Sequence, residues 1–488
     1  MKKLLALVLV ALMMLSLVPF AVAEELPHVT LKFIFFADKK ADIDKVWAAI
    51  AEKYADQLNC DFDVQFIGAD DYKFKLLQKA GAGDKWDMNF DGNWLGYFQM
   101  LGQEAYMDIT ELLPKYAPDL YAAYQANDVL GTATYNGKIV ALPWTMMMNN
   151  RTTFQWRGDL AEAAGIEIDK ENMKTFEDVL PVMEALKAAY PDRYTIEVSS
   201  KDAMLNKYNL VDIGNNLVID LTDADAKIQL LETTDAYREM AKYAQVLQEK
   251  GLIWKDVLND KTDHNALINE GKLIAKWGTY EFVRSGRPWV EEGARWDYVF
   301  LYPDSKVANR TPLANVAAIP ATSENPERTL MFMNLLQTDQ EMYDMMHYGI
   351  LGETYNINDE GAVVYPEGMT TANSSYMGWQ GRWAYWKPQF MRPDDEFPKD
   401  FWKEEAENAA SNPNNVASPY DAFVFNSDPV NIEVALRDQV FTDAHKMIEV
   451  GLAGDADAAV DKLIADQAAD GEIILKEAQA QLDAFLGK

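Results

Sequence analysis

The residues in this sequence with the clearest chemical character are tryptophans at the ends of predicted strands. The chain has 13 tryptophans, and Trp94, Trp144 and Trp277 each follow a short apolar run instead of lying on a helix face. A flat aromatic ring can pack against the apolar C–H face of a sugar ring. Any single one of these rings is better explained by core packing, but the set at strand ends favours a binding cleft.

Polar side chains beside these aromatic residues could supply the hydrogen bonds that a hydroxyl-rich ligand needs. Amide, carboxylate and guanidinium groups stand close by in the sequence, as in Asn93, Asn149, Glu281 and Arg382. We therefore predict a ligand site that is made of Phe36, Asn93, Trp94, Trp144, Asn149, Trp277, Tyr280, Trp379 and Arg382. Replacing Trp94 or Trp379 with alanine is expected to weaken binding without unfolding the protein.

The sequence carries no catalytic motif. It has no HExxH pair, nucleophile elbow, phosphate-binding loop or dinucleotide fingerprint. The histidines are scattered, at His28, His264, His347 and His445. Cys60 is the only cysteine, which excludes an intrachain disulfide and a cysteine-rich zinc site. We predict no enzyme, no cofactor and no metal site, although the abundant carboxylates leave a glycosidase pair open.

Residues 356–367 have a faint likeness to a calcium-binding loop, because Asn356, Asn358, Glu360 and Glu367 fall at ligand-like offsets. The usual first aspartate is missing, and no predicted helices flank the segment as they do in an EF-hand. A β-hairpin over residues 355–365 is therefore the favoured interpretation.

Length and charge narrow the possible functions. A chain of 488 residues is long for one core, so two lobes are expected. The formal net charge of −32 argues against binding to nucleic acid or to anionic lipid surfaces. A cationic partner is one explanation of this charge, and a well-solvated exported protein is the favoured one.

The first 23 residues have the pattern of a secretory signal peptide. Lys2 and Lys3 precede an apolar run over residues 4–17, and the Ala21-Val22-Ala23 sequence provides small residues for cleavage. Cleavage after Ala23 is expected. Because it removes Lys2 and Lys3, the net charge of the mature chain would be near −34. No cysteine follows the apolar run, so a lipid anchor on an N-terminal cysteine is not expected.

The mature N-terminal region predicts a parallel sheet. Strands are expected at residues 29–36, 62–66 and 86–90, with helices at 38–59 and 70–80 between them. This βαβαβ order favours right-handed crossovers, and ligands in such sheets bind beyond the carboxyl ends of the strands. Residues 36–38 and 91–94 lie at those ends.

Residues 134–151 are interpreted as the place where the chain first leaves one lobe for the other. Asn136-Gly137 predicts a tight turn, residues 139–143 a buried strand, and polar residues follow Trp144. A further hairpin within a single domain is the alternative.

Later helices are expected at residues 159–164, 175–189, 235–250, 263–270, 325–336, 339–348 and 461–486, and short strands at 273–276 and 316–320.

Several segments together resemble the extracellular solute-binding proteins of ABC importers (family 1-like), in the branch related to lipoproteins. They include GKLIAKWGTY at residues 271–280, AAIPATSENPERTLMFMNLL from residue 317 and TDQEMYDMMHYGILGETY ending at Tyr355. The tail from Pro419, PYDAFVFNSDPVNIEVAL and the helix after it, is similar to the C-terminal extension of that branch.

This resemblance implies an α/β, two-lobed periplasmic-binding-protein-like fold of type II. Each lobe would be a mixed sheet flanked by helices, and a hinge would join them. Residues 24–145 and 272–325 are assigned to lobe 1. Residues 146–271 and 326–488 are assigned to lobe 2, with a mostly helical extension at 420–488.

The resemblance also implies a function: a monomer that binds a carbohydrate, expected to be an oligosaccharide, and delivers it to ABC permease subunits. Relatives in Gram-positive bacteria usually carry a lipidated N-terminal cysteine. The Ala-Val-Ala-Glu sequence here instead suggests a free periplasmic or secreted protein.

Two alternatives stay open on sequence alone. The same fold could bind a cationic peptide or a polyamine, in which case carboxylates instead of tryptophans would line the cleft. A secreted carbohydrate-active enzyme would need two facing carboxylates about 5–10 Å apart.

Overall fold

The structure is a computed structural model that describes residues 26–488 apart from 128, 146–147, 261, 263, 282, 284–292, 371–372 and 395–398. The predicted signal peptide, residues 1–23, lies outside the described residues. No helix in the described ranges is long and apolar enough to cross a bilayer.

The helices are mostly short, and two long ones end the chain. In chain order they are α1 Ile43–Lys53, α2 Ala55–Leu58, α3 Ala69–Ala82, α4 Tyr97–Gly102, α5 Leu113–Tyr116, α6 Pro118–Ala126, α7 Gly158–Ala163, α8 Phe176–Ala189, α9 Lys201–Lys207, α10 Asp235–Glu249, α11 His264–Asn269, α12 Pro326–Thr338, α13 Gln340–Tyr348, α14 Phe401–Ser411, α15 Asn431–Ile448 and α16 Ala456–Phe485.

The strands form several small sheets. In chain order they are β1 Val29–Phe36, β2 Cys60–Ile67, β3 Met88–Asp91, β4 Thr134–Tyr135, β5 Lys138–Ile139, β6 Thr153–Arg157, β7 Leu210–Asp212, β8 Leu217–Asp220, β9 Ile228–Leu230, β10 Ala275–Gly278, β11 Trp296–Phe300, β12 Val307–Ala308, β13 Val316–Ala318, β14 Asn356–Ile357, β15 Val363–Val364 and β16 Asn415–Val416.

The first sheet has the strand order β13-β3-β1-β2. Strand β1 pairs in parallel with both β2 and β3, as the βαβαβ pattern predicted, and β13 joins β3 antiparallel. The apolar positions of α1, including Val46, Trp47 and Ile50, recur every three or four residues and are buried against this sheet. We call the surrounding apolar cluster the first core.

The second sheet is antiparallel, with the order β10-β6-β11. Helices α8 and α10 pack around it in a separate apolar cluster, which we call the second core. Helix α8 begins with the predicted cap, because the side chain of Thr175 and that of Asp178 each bind the other's backbone N–H. Leu142 lies in the first core and Phe154 lies in the second. Residues 143–153 therefore carry the chain from one core to the other.

These sheets correct the predicted allocation of two segments. Residues 275–278 and 296–300 pair with β6, so they belong with the second core instead of with lobe 1. Helices α12 and α13 pack in the first core, whereas the sequence assigned all of residues 326–488 to lobe 2. Long-range strand pairing and packing decide both placements, and no local sequence signal reports them.

Several local elements also differ from their predicted bounds. The predicted helix over residues 38–59 is divided at Tyr54 into α1 and α2. The predicted strand at residues 139–143 pairs as β5 only to Ile139, and Leu142 makes one isolated bridge to Ala317. The turn at Asn136-Gly137 has the left-handed backbone that the sequence indicated, with φ of 50° and 77°. Strands β14 and β15 form the hairpin predicted instead of a calcium loop.

The C-terminal extension is mostly helical, as predicted, and packs against the third sheet. That sheet has the order β7-β8-β9. Leu217, Ile219 and Ile228 of its strands are buried with Ile474 and Leu482 of α16 in a cluster that we call the tail core. The extension is therefore built into the fold through apolar burial, which stabilises folded proteins by about 25 cal/mol per Å².

A buried ion pair joins the extension to the third sheet. Arg437 of α15 and Glu232, which follows β9, are both essentially inaccessible to solvent, and Arg437 Nη2 lies 2.6 Å from Glu232 Oε2. The same guanidinium donates to the carbonyls of Asn215 and Asn216, at 2.8 and 3.2 Å. Both Glu232 carboxylate oxygens and the Arg437 guanidinium have hydrogen-bond partners. These partners offset the cost of burying the two charges.

Replacing Arg437 with methionine should destabilise the fold by about 3–5 kcal/mol, because it leaves Glu232 charged, buried and unpaired. The matched control is Arg238→Met. Arg238 also joins α10 to α16, through Asp457 and Asp461, but these pairs are solvent-exposed and should contribute less than about 1 kcal/mol. Urea denaturation of both variants tests this, and equal losses would contradict it.

Candidate functional site

A cleft with two connected cavities lies between the first sheet and the third sheet. The larger cavity is about 640 Å³ and is lined by residues 93–96, 98 and 99 on one side and by residues 211–215 on the other. The smaller cavity is about 340 Å³ and is lined by Trp277 and Thr279. Asn150, Asp212 and Arg310 line both cavities, so we treat them as one cleft.

Trp94 provides an aromatic platform in the larger cavity. Its side chain is 51% exposed, although its indole Nε1 donates to the carbonyl of Ala314 at 2.6 Å. Phe36 meets it edge to face, with ring centroids 5.6 Å apart. Gly92 is required behind this ring, because a Cβ there would lie 2.5 Å from the Ala314 carbonyl oxygen. The ring is thus fixed while much of its surface stays open.

A buried carboxylate holds the loop that carries Asn93 and Trp94. Asp91 ends β3 and accepts hydrogen bonds from the backbone N–H groups of Gly92 and Gly96, at 2.8 and 3.0 Å, and from the hydroxyl of Tyr106. Burial raises the pKa of Asp91 to about 6, and these hydrogen bonds oppose the rise. The carboxylate therefore positions one wall of the cleft instead of facing a ligand.

The opposite wall contains a turn with unusual backbone geometry. Gly214, Asn215 and Asn216 have consecutive positive φ angles of 91°, 52° and 53°. Asparagine and glycine tolerate this left-handed conformation better than other residues. Because Arg437 binds the carbonyls of Asn215 and Asn216, the C-terminal extension holds this turn in place.

The smaller cavity contains the second predicted tryptophan of the cleft. Trp277 is half-buried, packs against Phe154 with ring centroids 5.3 Å apart, and donates from Nε1 to the carbonyl of Val198 at 2.8 Å. The hydroxyl of Thr279, which also lines this cavity, has no hydrogen-bond partner among the described residues.

Amide side chains dominate the polar lining of the larger cavity: Asn93, Gln99, Asn150, Asn215, Asn309 and Asn315. The amide oxygens of Asn309 and Asn315 are buried and lack a hydrogen-bond partner within the described part of the chain. Amide groups can both donate and accept hydrogen bonds without carrying a charge. The lining is therefore suited to an uncharged ligand rich in hydroxyl groups.

Five of the charged residues that the structure describes line the cleft, Lys73, Asp202, Asp212, Arg310 and Asp421, and two of them form ion pairs. Asp212 binds Lys201 at 3.1 Å, and Arg310 forms an ion pair with Glu281. Within the described ranges, no group of three or more histidine, cysteine, aspartate or glutamate side chains could hold a metal ion. The arrangement is suited to noncovalent recognition.

Three of the nine predicted site residues lie elsewhere, in an apolar cluster where the chain passes between the cores. Trp144 stacks on Trp386 with centroids 5.6 Å apart, and Tyr280 stacks on Phe401 of α14 with centroids 5.8 Å apart. Asn149 is buried and donates from Nδ2 to the carbonyl of Asn408 at 2.9 Å. Helix α14 covers these side chains, so the structure corrects their predicted placement in the cleft.

Trp379 also lies away from the cleft. It is only 1% exposed and packs in the first core against Phe35, with ring centroids 5.1 Å apart. Because removing such a ring from a core costs about 3–5 kcal/mol, the structure leads us to expect that Trp379→Ala destabilises the fold. Arg382 is half-buried in the short 3₁₀-helix Gln380–Tyr385. Burial lowers the pKa of His347, and the positive charge of Arg382 lowers it further.

Of the predicted residues, Asn93, Trp94 and Trp277 line the cleft and Phe36 supports Trp94 from behind. The sequence reasoning missed Asp212, Arg310, Tyr420 and Asp421, which also line it. The turn signal in Gly214-Asn215-Asn216 could have indicated the loop beside Asp212. Nothing local distinguishes the other three residues.

A second surface groove, of about 850 Å³, lies between α1 and α13 and contains none of the predicted site residues. Its charged residues Lys53 and Glu341 form an ion pair at 2.7 Å, and Asp344 pairs with Arg392. The cleft, with its open tryptophan and amide side chains, is the stronger candidate.

The apolar cluster around Trp144, Tyr280 and Phe401 adjoins a carboxyl group that should make stability depend on pH. Glu405 of α14 is fully buried and accepts from the backbone N–H of Asn149, and its Oε2 has no partner among the described residues. Burial raises its pKa from 4.5 to about 7. The folded state thus binds the proton more tightly than the unfolded state, and stability should fall as pH rises from about 4.5 to about 7.

Glu405→Gln should remove this pH dependence, because a neutral amide replaces the titrating carboxyl. We expect the variant to match the wild type at pH 5 and to be more stable by about 2 kcal/mol at pH 8. Urea denaturation at both pH values measures this. Glu407→Gln, on an exposed position of the same helix, is the control and should behave like the wild type at both pH values.

The sequence matches two family models. One, described as bacterial extracellular solute-binding protein, matches residues 49–364, and the other, described as a domain of unknown function, matches residues 419–487. A curated relative, a carbohydrate ABC transporter substrate-binding protein of Streptococcus pneumoniae serotype 4 (strain ATCC BAA-334 / TIGR4), is 25% identical over 465 residues. The match covers 93% of this chain and 91% of the relative.

Solved structures show the same fold. The N-glycan transport solute binding protein NgtS of Streptococcus pneumoniae is 22% identical, with a TM-score of 0.77 over 94% of this chain and 99% of that one. An HMO-binding, ABC-transporter-associated solute binding protein of Bifidobacterium longum infantis ATCC 15697 is 14% identical. Its TM-score is 0.68 over 94% of this chain and 99% of that one. Because the first family model spans more than half of the sequence, this chain belongs to the bacterial extracellular solute-binding proteins.

Proposed function

We propose that this protein is the substrate-binding component of an ABC transporter that captures an oligosaccharide in the cleft and delivers it to a membrane permease. The observation that carries the proposal is the half-exposed ring of Trp94 in a cavity whose polar lining is dominated by amide side chains. Aromatic faces bind the apolar faces of sugar rings, and amides bind their hydroxyl groups.

The relatives support this ligand class. The curated relative is described as a carbohydrate substrate-binding protein, and NgtS has been solved in complex with Man5GlcNAc. The combined cleft volume suits more than one sugar ring, because drug-sized ligands fill pockets of about 300–1,000 Å³.

The proposed mechanism is closure of two lobes, in a type II arrangement, around the ligand. The first lobe is built on the first core and contributes Trp94. The second is built on the second core and the third sheet and contributes the wall at residues 211–215. A ligand that touches both walls stabilises the closed form by its differential affinity for that form.

The alternative ligands fit this lining less well. A polyamine or a cationic peptide needs several unpaired carboxylates, whereas Asp212 is paired with Lys201 and the larger cavity also carries the cations Lys73 and Arg310. Amides outnumber the carboxylates Asp202, Asp212 and Asp421 on the lining. We propose that the protein acts without covalent chemistry, and recovery of intact sugar after binding separates this from a hydrolase.

Trp94→Ala should weaken oligosaccharide binding about tenfold or more, because a central aromatic anchor is lost. A thermal-shift screen of the mature chain against mono- and oligosaccharides, oligopeptides and polyamines identifies the ligand, and calorimetry measures its affinity. Phe74→Ala is the matched control, because Phe74 is 70% exposed on α3 and does not line the cleft.

Three results would contradict the proposal. One is a peptide or polyamine as the only ligand, the second is hydrolysis of the bound sugar, and the third is equal affinity of Trp94→Ala and the wild type.

We also propose that the protein is exported as a free monomer, with residues 1–23 removed. Mass spectrometry of the protein recovered from its native cells should find Glu24 as the first residue, without lipid. A mass that includes residues 1–23 or an attached lipid would overturn this proposal.

A further inference from the structure

The beginning of the C-terminal extension forms part of the cleft wall. Tyr420, Asp421 and Phe423 line the same cavity as Trp94. They lie at the start of the segment, residues 419–487, that matches a domain of unknown function. The extension therefore reaches the site where the ligand is proposed to bind.

This part of the extension is firmly attached to the third sheet. Tyr420, Phe423 and Phe425 are buried in the tail core with strands β8 and β9. Asn426 exchanges two hydrogen bonds with Gln481 of α16, at 2.8 and 2.9 Å. The wall is consequently positioned before any ligand arrives, which reduces the entropy cost of binding.

The extension also holds the neighbouring part of the wall. The guanidinium of Arg437 binds the carbonyls of the left-handed turn at Asn215 and Asn216, and Asn215 lines the cavity. Both segments of this wall thus depend on residues beyond position 418.

Asp421 has the chemistry of a group that accepts hydrogen bonds from hydroxyls. It is half-buried beside the hydroxyl groups of Thr311 and Ser418. Burial raises its pKa to about 6, and the two hydroxyls oppose the rise. The other charged side chains on this cavity are Lys73, Asp212 and Arg310. At neutral pH the carboxylate is ionised, and an ionised acceptor makes stronger hydrogen bonds than a neutral one.

We propose that the C-terminal extension is a ligand-binding element, in which Asp421 accepts hydrogen bonds from hydroxyls of the sugar that rests on Trp94 while Tyr420 packs against that sugar. This inference rests on the proposed function and assigns a role to the segment at residues 419–487.

The test compares variants within the extension, using the full mature chain and the oligosaccharide with the largest thermal shift on the wild type. Calorimetry at pH 7.5 should show affinity about tenfold lower for Asp421→Ala, and a smaller loss for Asp421→Asn. Asp443→Ala is the control, because Asp443 lies on α15 of the same extension, away from the cleft, and should bind like the wild type.

The pH profile separates a contact from a structural effect. Wild-type affinity should fall as pH drops from 7.5 to 5, since protonation of Asp421 removes an acceptor, and Asp421→Asn should flatten that fall. Tyr420→Leu should weaken binding, and its ligand-free melting temperature is measured alongside because Tyr420 also packs in the tail core.

These measurements distinguish failure of this inference from failure of the proposed function. If Trp94→Ala loses affinity while Asp421→Ala, Asp421→Asn and Tyr420→Leu bind like the wild type, the extension is not part of the site and the function stands. If no sugar binds the wild-type protein, both proposals are overturned.

Discussion

The buried carboxylate of Asp91 is the interaction on which the first wall of the cleft depends. It ends the central parallel part of the sheet and gathers two backbone N–H groups and the Tyr106 hydroxyl around itself. Strand β13 pairs beside it, with Val316 opposite Asp91, and this brings the Ala314 carbonyl to the indole of Trp94. Sheet register, loop conformation and the orientation of the aromatic ring thus follow from one satisfied buried group.

The extension makes a comparable contribution to the second wall. The segment that matches a domain of unknown function shares the tail core with the third sheet, and its Arg437 reaches the turn at Asn215. In physical terms it is one body with that sheet, because apolar contacts and a fully satisfied buried ion pair join them. The boundary between the two family matches does not coincide with a boundary in packing.

Local sequence signals were sufficient where the geometry is local. The parallel order of β1, β2 and β3, the cap at Thr175 and the position of Trp94 after a strand all follow from patterns within a few dozen residues. Trp144 and Tyr280 were predicted as cleft residues from the same strand-end and turn signals, and Trp379 from an aromatic-rich irregular stretch. They are buried because irregular segments and α14, distant in sequence, pack over them. Such packing leaves no periodic trace, which is also why Asp421 was missed.

The first core is assembled from widely separated parts of the chain. Strand β1 near the N-terminus shares it with α12, with α13 and with Tyr385. Such non-local contacts carry a large loop-closure entropy and slow folding. A chain emerging from a ribosome or a translocation channel therefore cannot complete this core until residue 385 has emerged. Strands β1, β2 and β3 are synthesised first, but their apolar burial is completed only by segments that follow much later in the chain.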